Sequence, residues 1–594
     1  MSSTRSLLDL PNELIIDILS DAAFSQTDIF IISCVSKRLN ALALPIYLAA
    51  HDIPEPQREI SLYVLDWSFY YSQIHNTRPR AVCRPDTLSG LNVSTNISQV
   101  KHFKCFFQDP TAGGLNSVQR FYHLPLTVER TARFVHRLKY VGIAEIYLIW
   151  DPYYVCNKTF VHVSIPEFNE WTESFCALLN LIVERGCTSL TVQYDAPIEL
   201  AFRFRSSNSI SKTFSSVFQY VHKRRDNQPR TLQWELKRSI REGKVDPSRI
   251  ASTPLSRLAQ ESNSIVTLSL HSNALLLPPF VNWTLSLLYS HSSLTCITFG
   301  HLTFPEEIWT TVLPLIADAV SDRLTKLSFF SRCTNLTAEN LMQFLGRLPH
   351  LTHLSVDRLL WSRFQLSRTR GKSHLFNITP PYLPQLQVLQ APTELVTLLL
   401  TAQPPYRNHE VPASFPQLRS LIVYPCSQLQ HPGSYSESSS VINALTRQIK
   451  NQSRGHEVEY ALDLQKEFTN FASSTQDLQS QASEQRVYRS LWDEIKGVEV
   501  EQLVTRQYDS RIVFLDITRV VLYPHHSPTS LSPWLKLLFP HLKTLVFTCQ
   551  IAGQPDQVSL DARVVDQLIK ELATACPTVH TLVVGKETYK LGEG

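Results

Sequence analysis

The chain has 594 residues, of which 43% are hydrophobic, and its formal net charge is +4. At about 150 residues per domain, this length predicts about four domains or one long repeat array and argues against a single compact fold. The nearly balanced charge gives no overall reason to bind nucleic acid or an acidic membrane, and no run of about 18 apolar residues predicts a membrane span. Because Asp9 and Glu13 interrupt the first residues, where a secretory signal needs an apolar stretch, we expect a cytoplasmic or nuclear protein.

The first fifty residues predict three short helices. Pro11 suits the first position of a helix over 11–20, because its missing N–H would be unpaired there in any residue. Thr27 or Asp28 is expected to cap a second helix, and Ser36 a third. The first helix carries one apolar stripe, formed by Leu14, Ile15, Ile18 and Leu19. A unit of about 40 residues has a small core, so its remaining apolar surface is expected to pack on the rest of the chain or on a partner.

Two stretches of this segment resemble a known motif. The pattern L-P-x-E-L-x-x-x-I-L from Leu10 to Leu19, followed by Asp28 and by S-x-V-S-K-R-x-N from Ser33 to Asn40, resembles an F-box. The resemblance implies binding to the Skp-type adaptor of a cullin-RING ubiquitin ligase. The positions that it assigns to adaptor binding are Leu10, Pro11, Glu13, Leu14, Ile18, Leu19, Val35 and Ser36. In the alternative interpretation, the apolar residues among them form only a local core that caps the next domain.

A second pattern, L-x-x-L-x-apolar, recurs at intervals of 27 to 35 residues from Ile265 to Leu418. Its best examples start at Leu294, Leu324, Leu351, Leu418 and Leu542, and weaker ones at Ile265, Leu386, Ile512 and Val579. Helical patterns lie between them, at 306–320, 338–348 and 565–575. This alternation predicts an α/β fold in which a leucine-rich-repeat solenoid follows the N-terminal helices. The asparagine expected after the third apolar position is absent from these units, so they resemble the degenerate repeats of fungal F-box proteins.

Composition, the recurring patterns and, for the first segment, the resemblance to an F-box divide the chain into seven predicted segments. They are an F-box at 1–50, a linker or helical connection at 51–98, long irregular repeats at 99–202, a polar basic insertion at 203–262, leucine-rich repeats at 263–429, a flexible Ser/Gln-rich insertion at 430–510 and C-terminal repeats at 511–594. For 99–202, a separate α/β domain is the alternative. Mixed charges in 203–262 favour a solvated loop or helix over a nucleic-acid patch. Within 430–510 the sequence predicts helical pieces near 456–471 and 486–506.

The sequence carries no motif of a hydrolase, a nucleotide-binding loop or a zinc protease. We therefore expect no enzyme, no metal and no cofactor, and we interpret His525-His526 as part of a turn. Dispersed cysteines in apolar contexts are expected to be small buried thiols; they are Cys34, Cys176, Cys296, Cys333 and Cys549.

The expected functional surface of the repeats is their strand face, where side chains between the apolar positions point outward. It is predicted to bind a target protein through His271, Lys326, Phe330, His353, Asp357, Tyr424, Phe514 and Asp516. In the alternative interpretation, Phe330 and Phe514 pack against the next repeat or a loop. Together with the resemblance to an F-box, this surface implies a non-catalytic substrate receptor of a ubiquitin ligase. The alternatives are an interaction scaffold that acts outside any ligase, and an enzyme whose site is assembled from distant residues.

Overall fold

The computed structural model describes residues 10–21, 23–63, 86–107, 117–148, 165–194, 203–206, 234–237, 244–245, 253–330, 333–357, 381–392, 395–396, 398–399, 415–424, 459–462, 519–522, 544–547, 562–575, 577–584 and 587–591. The chain divides into two units, Met1–Arg323 and Leu324–Gly594. The fold is α/β: a cluster of three short helices precedes parallel strands that alternate with helices, as in a leucine-rich-repeat solenoid.

The first unit opens with the three predicted helices. They are α1 (Asn12–Leu19), α2 (Gln26–Ser33) and α3 (Lys37–Ala49). Ser36 caps α3 as predicted, since its Oγ accepts a hydrogen bond of 3.2 Å from the backbone N–H of Leu39. The predicted cap of α2, Thr27 or Asp28, is wrong by two or three residues. Ser25 caps this helix, because its Oγ accepts from the backbone N–H of Asp28 while the carboxylate of Asp28 accepts from the backbone N–H of Ser25, which forms a capping box.

The rest of the first unit alternates strands and helices. Its strands are β1 (Glu59–Tyr63), β2 (Gln99–Phe107), β3 (Tyr140–Leu148), β4 (Ser189–Tyr194), β5 (Arg203–Ser206), β6 (Trp234–Lys237), β7 (Lys244–Val245), β8 (Thr267–His271) and β9 (Cys296–Phe299). Its further helices are α4 (Thr87–Val93), α5 (Ser117–Arg137), α6 (Ile165–Glu184), α7 (Arg257–Ser262), α8 (Val281–Ser290) and α9 (Glu306–Val320). The helix predicted over 306–320 is confirmed to the residue.

The main sheet of this unit pairs β1, β2, β3, β4, β8 and β9 in that order, and every pair is parallel. Because β4 pairs with β8, the strands of 99–202 continue the sheet of the later repeats and do not form a separate α/β domain. β1 lies within the predicted connection 51–98 and adds one more strand to the sheet. The described parts of 203–262 include the short antiparallel strands β5, β6 and β7, which form a sheet of their own.

One row of apolar side chains runs across the inner face of this main sheet. The strand register aligns Ile60, Phe103, Ala144, Leu190, Leu268 and Ile297, and each of them is fully buried. Alternation along a strand directs the residues between these positions to the opposite face. The recurring apolar pattern of the sequence is therefore the inner row of the sheet, and the polar residues between its members form the outer strand face.

An asparagine connects two neighbouring repeats. Asn273 follows β8 and is fully buried; its Nδ2 donates to Oγ1 of Thr303 (2.9 Å), and its Oδ1 accepts from the backbone N–H of Thr303 (3.0 Å). The expectation that these units lack the asparagine is wrong for the unit that starts at Ile265. That unit is one of the weaker examples of the pattern, and it is the one that carries the asparagine.

The second unit continues the strand and helix alternation. Its strands are β10 (Lys326–Phe329), β11 (His353–Val356), β12 (Val388–Pro392), β13 (Ser420–Tyr424), β14 (Glu459–Leu462), β15 (Arg519–Leu522), β16 (Thr544–Phe547), β17 (Thr581–Val584) and β18 (Glu587–Lys590), and its helices include α10 (Ala338–Leu345) and α11 (Ala562–Ala575). The strands from β10 to β17 pair in parallel, and β18 returns antiparallel to β17. β14 is a strand where the sequence predicts a helical piece at 456–471.

A buried histidine predicts acid sensitivity of the first unit. His291 is fully buried; its Nδ1 accepts from the backbone N–H of Ile265 (3.3 Å), and its Nε2 donates to the carbonyl of Ala259 (2.9 Å). Burial lowers the pKa of His291, and the positive charge of Arg323 lowers it further. The neutral form is therefore the one that fits the fold, and a proton on Nδ1 would remove the bond from Ile265.

The sign of the pH effect follows from this lowered pKa. A histidine whose pKa is lower in the folded state stabilises the fold above its ordinary pKa of about 6.5, and this stability is lost as the pH falls below that value. We expect the urea concentration at which the first unit unfolds to drop between about pH 6.5 and pH 5. Hydrogen exchange of peptides from α7 to α8, followed at increasing urea concentrations, measures this midpoint. His291→Gln should lower the midpoint at pH 8 and reduce its pH dependence. An equally steep decline in that variant would contradict the assignment.

Candidate functional site

Five apolar side chains of the three-helix cluster are exposed. We call them the N-terminal apolar surface: Leu14, Ile16, Ile18, Ile31 and Val35. The F-box resemblance assigns three of them to adaptor binding, and the most exposed, Val35, shows 68% of its surface to solvent. Leu14 and Ile18 lie one helical turn apart on α1. Ile31 lies on α2, and Val35 lies in the turn that follows this helix. Such a concentration of exposed apolar groups on a small unit is typical of an interaction surface.

The other residues that the resemblance assigns differ in their placement. Pro11 and Glu13 are exposed and Leu10 is half-buried. Pro11 precedes α1 as its cap instead of occupying the first helical position. Leu19 is buried in the cluster and supports its core, while Ser36 is half-buried and caps α3.

Arg38 joins the two halves of the motif. Its Nη2 donates to the carbonyl of Leu10 (2.6 Å) and to Oδ1 of Asn12 (2.8 Å), and its Nε donates to the same Oδ1 (3.0 Å). These bonds hold the start of α1 against the first turn of α3. The F-box pattern includes Arg38 without assigning it to adaptor binding. Its role is to position the motif residues around it.

The three-helix cluster is fixed to the first repeat by Asn40 and Tyr47 of α3. Asn40 is buried; its Nδ2 donates to the carbonyls of Ser33 (3.0 Å) and Val93 (3.1 Å). Tyr47 is fully buried against α4, where a Cβ atom added to Gly90 would lie 2.6 Å from its ring. The cluster and α4 are therefore held at a close and specific distance.

Hydrogen bonds and an ion pair hold α4, the helix on which the three-helix cluster packs. Asp86 caps α4 by accepting from the backbone N–H of Ser89 (2.8 Å), and Arg130 of α5 forms an ion pair with Asp86 at 2.7 Å. At the other end of α4, Arg137 donates to the carbonyls of Leu91 and Ser94. A continuous series of bonds thus connects α3, α4 and α5.

The predicted target-binding residues fall on both units. His271 is half-buried at the end of β8, and its pKa is lowered to about 4 by burial and by neighbouring His301. In the second unit, the register of β10 and β11 pairs Lys326 with His353 on one face. Phe330 and Asp357 follow those two strands, and Phe330 is 43% exposed.

Three of the predicted target-binding residues are described less fully or not at all. Tyr424 ends β13, and only its backbone is described. Phe514 and Asp516 lie outside the described residues.

The strand face of the first unit carries a row of aromatic rings that the sequence reasoning missed. We call it the aromatic ladder: Tyr63 of β1, Phe106 of β2 and Tyr147 of β3, which the sheet register aligns. The rings of Tyr63 and Phe106 stack with centroids 4.5 Å apart, and those of Phe106 and Tyr147 with centroids 4.3 Å apart. Tyr63 remains 60% exposed although one of its faces is stacked. The ladder therefore presents ring surface to solvent.

Four charged or titratable side chains lie beside the ladder on the same strands. We call them the charge network: Glu59, His102, Lys104 and Glu145. Nζ of Lys104 donates to Glu59 (3.0 Å), and Nε2 of His102 donates to Glu145 (2.7 Å). The hydroxyl of Tyr147 donates to the second oxygen of Glu145 at 2.6 Å, which couples the network to the ladder. The hydrogen bond from Lys104 lowers the pKa of Glu59.

The carboxylate of Glu145 is held in its charged form as well. Burial raises its pKa, but the hydrogen bonds from Tyr147 and His102 outweigh burial and bring the pKa below its ordinary value. Both carboxylates of the network are therefore ionised at neutral pH. The signal that could have revealed this surface is an aromatic residue near the end of each of three strand-like segments, but the first segment was assigned to a linker.

The predicted buried thiols are confirmed only in part. Cys176 and Cys333 are buried and Cys296 is half-buried, whereas Cys34 is exposed because it ends α2 at the surface of the cluster. Burial raises the pKa of Cys176 to about 12, so its thiol is protonated at neutral pH. Cys549 lies outside the described residues.

Within the parts of the chain that the structure covers, no three or more His, Cys, Asp and Glu side chains come together in a group that could hold a metal ion. His525-His526 lies outside them. None of the helices in the described ranges combines the length and the apolar composition that a membrane span requires.

The two surfaces differ in chemistry and in place. The N-terminal apolar surface belongs to the three-helix cluster, and the aromatic ladder with its charge network belongs to the first strands of the sheet. Comparison of the chain with protein-family models and with curated proteins found no match. The function of each surface is therefore inferred only from the residues that form it.

Proposed function

We propose that this chain is a non-catalytic substrate receptor of a Skp-cullin-F-box type ubiquitin ligase. In this function the three-helix cluster binds the Skp-type adaptor, and through it a cullin, while the repeats bind a target protein. The chain would act by proximity, because holding the target near a charged ubiquitin raises their effective concentration. No chemical step would be assigned to its own side chains.

The observation that carries the proposal is the N-terminal apolar surface. Leu14, Ile18 and Val35 occupy adaptor-binding positions of the F-box pattern and are exposed instead of packing on the repeats. If these residues served only as a local core, they would be expected to be buried. Their exposure favours a partner over a cap.

The anchoring of the cluster also supports the proposal. A receptor must hold its target at a defined position relative to the adaptor, which requires a stiff connection between the two binding surfaces. Asn40 and Tyr47 connect α3 with α4, and Arg130 and Arg137 connect α4 with α5. These contacts therefore support a stiff connection between the three-helix cluster and the repeats.

Affinity purification of the tagged full chain, followed by mass spectrometry, tests the proposal. Wild type is expected to recover adaptor and cullin. Val35→Glu should reduce recovery of both at least tenfold, because it buries an unpaired charge in the interface. The double variant Leu10→Ala, Pro11→Ala should reduce it as well.

Leu258→Glu is the matched control, since Leu258 is an apolar residue of α7 that is 63% exposed. This variant should recover adaptor and cullin like wild type. Recovery of neither protein by wild type would overturn the proposal and favour a scaffold outside any ligase. Equal recovery by wild type and Val35→Glu would show that the adaptor binds elsewhere.

A further inference from the structure

We propose that the aromatic ladder and the charge network together bind a basic, arginine-bearing segment of a protein partner in an extended conformation. The binding surface is the strand face of β1, β2 and β3. The inference rests on the proposed function only in identifying that partner with the target of the ligase. Binding of the segment itself requires neither adaptor nor cullin.

The charges of the surface select a cationic partner. The two carboxylates, Glu59 and Glu145, outnumber the single lysine, Lys104. Neighbouring Arg58 does not change this balance, because it forms its own ion pair with Glu55 (3.5 Å). A phosphorylated peptide or a nucleic acid would bring its negative charge against both carboxylates. A guanidinium or an ammonium group instead adds the positive charge that the network lacks.

The aromatic ladder favours arginine over lysine. A planar guanidinium stacks on an aromatic face, whereas an ammonium group is more strongly hydrated and makes a point contact. The ring of Tyr63 is 60% exposed although Phe106 covers one of its faces. An arginine side chain can therefore lie on the ring of Tyr63.

The geometry of β1 sets the spacing of the basic residues. Glu59 and Tyr63 are both exposed on the same face of β1, with Ser61 between them. At about 3.3 Å per residue, they lie about 13 Å apart along the strand. An extended segment with two arginines four residues apart can place one beside Glu59 and the other on Tyr63.

Fluorescence anisotropy with the purified full chain tests the inference. The probe is a fluorescein-labelled peptide of twelve residues that alternates arginine and serine, in 50 mM salt. We expect it to bind, a lysine and serine peptide to bind about threefold more weakly, and a glutamate and serine peptide not to bind. Binding should weaken as salt is raised to 300 mM, because screening reduces the attraction between charges.

Variants locate the binding surface. The double variant Glu59→Gln, Tyr63→Ala should weaken binding of the arginine peptide about tenfold, which corresponds to about 1.4 kcal/mol. The matched control is Glu339→Gln, Tyr382→Ala, which changes an exposed glutamate of α10 and a tyrosine that is 54% exposed in the second unit. It should bind like wild type. Circular dichroism spectra of the two double variants are compared to verify that both are folded.

The outcomes separate this inference from the proposed function. Binding of the acidic peptide, or equal affinity of wild type and the Glu59→Gln, Tyr63→Ala variant, would overturn the inference. If the peptide fails to bind while adaptor and cullin are recovered, the receptor function stands and the inference is wrong. If the peptide binds in the expected way while adaptor is not recovered, the inference stands and the receptor function is wrong.

Discussion

Replacing Asn40 with alanine is expected to cost about 2–4 kcal/mol of the unfolding free energy of the three-helix cluster and to loosen the cluster from the repeats. All four hydrogen-bonding positions of this buried amide are used. Its Nδ2 donates to Ser33 and Val93, and its Oδ1 accepts from the backbone N–H (3.0 Å) and Oγ1 (2.9 Å) of Thr95. Alanine would leave the buried carbonyl of Ser33 without a partner, and it would also remove the bonds that tie Val93 and Thr95, which are half-buried and exposed, to α3.

Hydrogen exchange followed by mass spectrometry measures this effect locally. In Asn40→Ala, peptides from α1 to α3 should exchange faster by at least tenfold, while peptides from β8 and β9 keep their wild-type rates. Asn282→Ala changes an exposed asparagine of α8 and is the matched control. Wild-type protection of the helices in Asn40→Ala would contradict the anchoring role. Under the proposed function, a ligase assembled with this variant should ubiquitinate the target less efficiently, while the variant still binds the adaptor.

Trp171→Ala is expected to destabilise the first unit by about 3–5 kcal/mol, the usual cost of removing a large buried aromatic side chain. Trp171 of α6 is fully buried, and its ring stacks on Phe175 with centroids 5.4 Å apart. It also meets Phe280, which precedes α8, edge to face at 5.5 Å. The three rings join α6 to α8, so the cavity would open between two neighbouring repeats.

A conservative variant separates loss of packing from a general effect of mutation. Trp171→Phe keeps an aromatic ring and leaves a smaller cavity, so we expect it to cost less than half as much as alanine. Leu258→Ala, at an exposed position, should cost little. Urea unfolding followed by hydrogen exchange of α6 and α8 peptides gives the comparison. Equal stability of Trp171→Ala and Leu258→Ala would show that the cluster of rings does not hold these repeats together.

Local patterns predict the three N-terminal helices, the helices between the later repeats and the strands of the recurring apolar pattern, but they do not predict α4, α7 or α8. The helix over 306–320 begins at a proline cap, has Glu306 and Glu307 in its first turn, and buries one apolar face, so composition alone delimits it. The apolar pattern of the repeats was read correctly because a parallel sheet buries the same position of each unit. Apolar periodicity likewise predicts the three N-terminal helices, and only the cap of α2 differs by two or three residues, because Ser25 and Asp28 form a capping box there.

Patterns of this kind do not settle which surfaces are exposed or which distant residues meet. Leu14, Ile18 and Val35 satisfy an apolar stripe equally well whether they are buried or open, and only the packed structure distinguishes the two. The sequence predicts a helical piece over 456–471, yet β14 pairs in parallel with β13 and is a strand. In β14, hydrogen bonding to the neighbouring strand outweighs the local preference of the segment for a helix.

The sequence by itself determined the repeat architecture and the three-helix segment at its start, because both depend on periodicity within short windows. The aromatic ladder and the charge network were decided only by the tertiary structure. Tyr63, Phe106 and Tyr147 lie on three separate repeats, and they meet because the parallel register of β1, β2 and β3 aligns them. The buried row of apolar side chains on the opposite face sets that register. Contacts between residues far apart in the sequence therefore decide which side chains are neighbours on the outer face, and no local pattern contains those contacts.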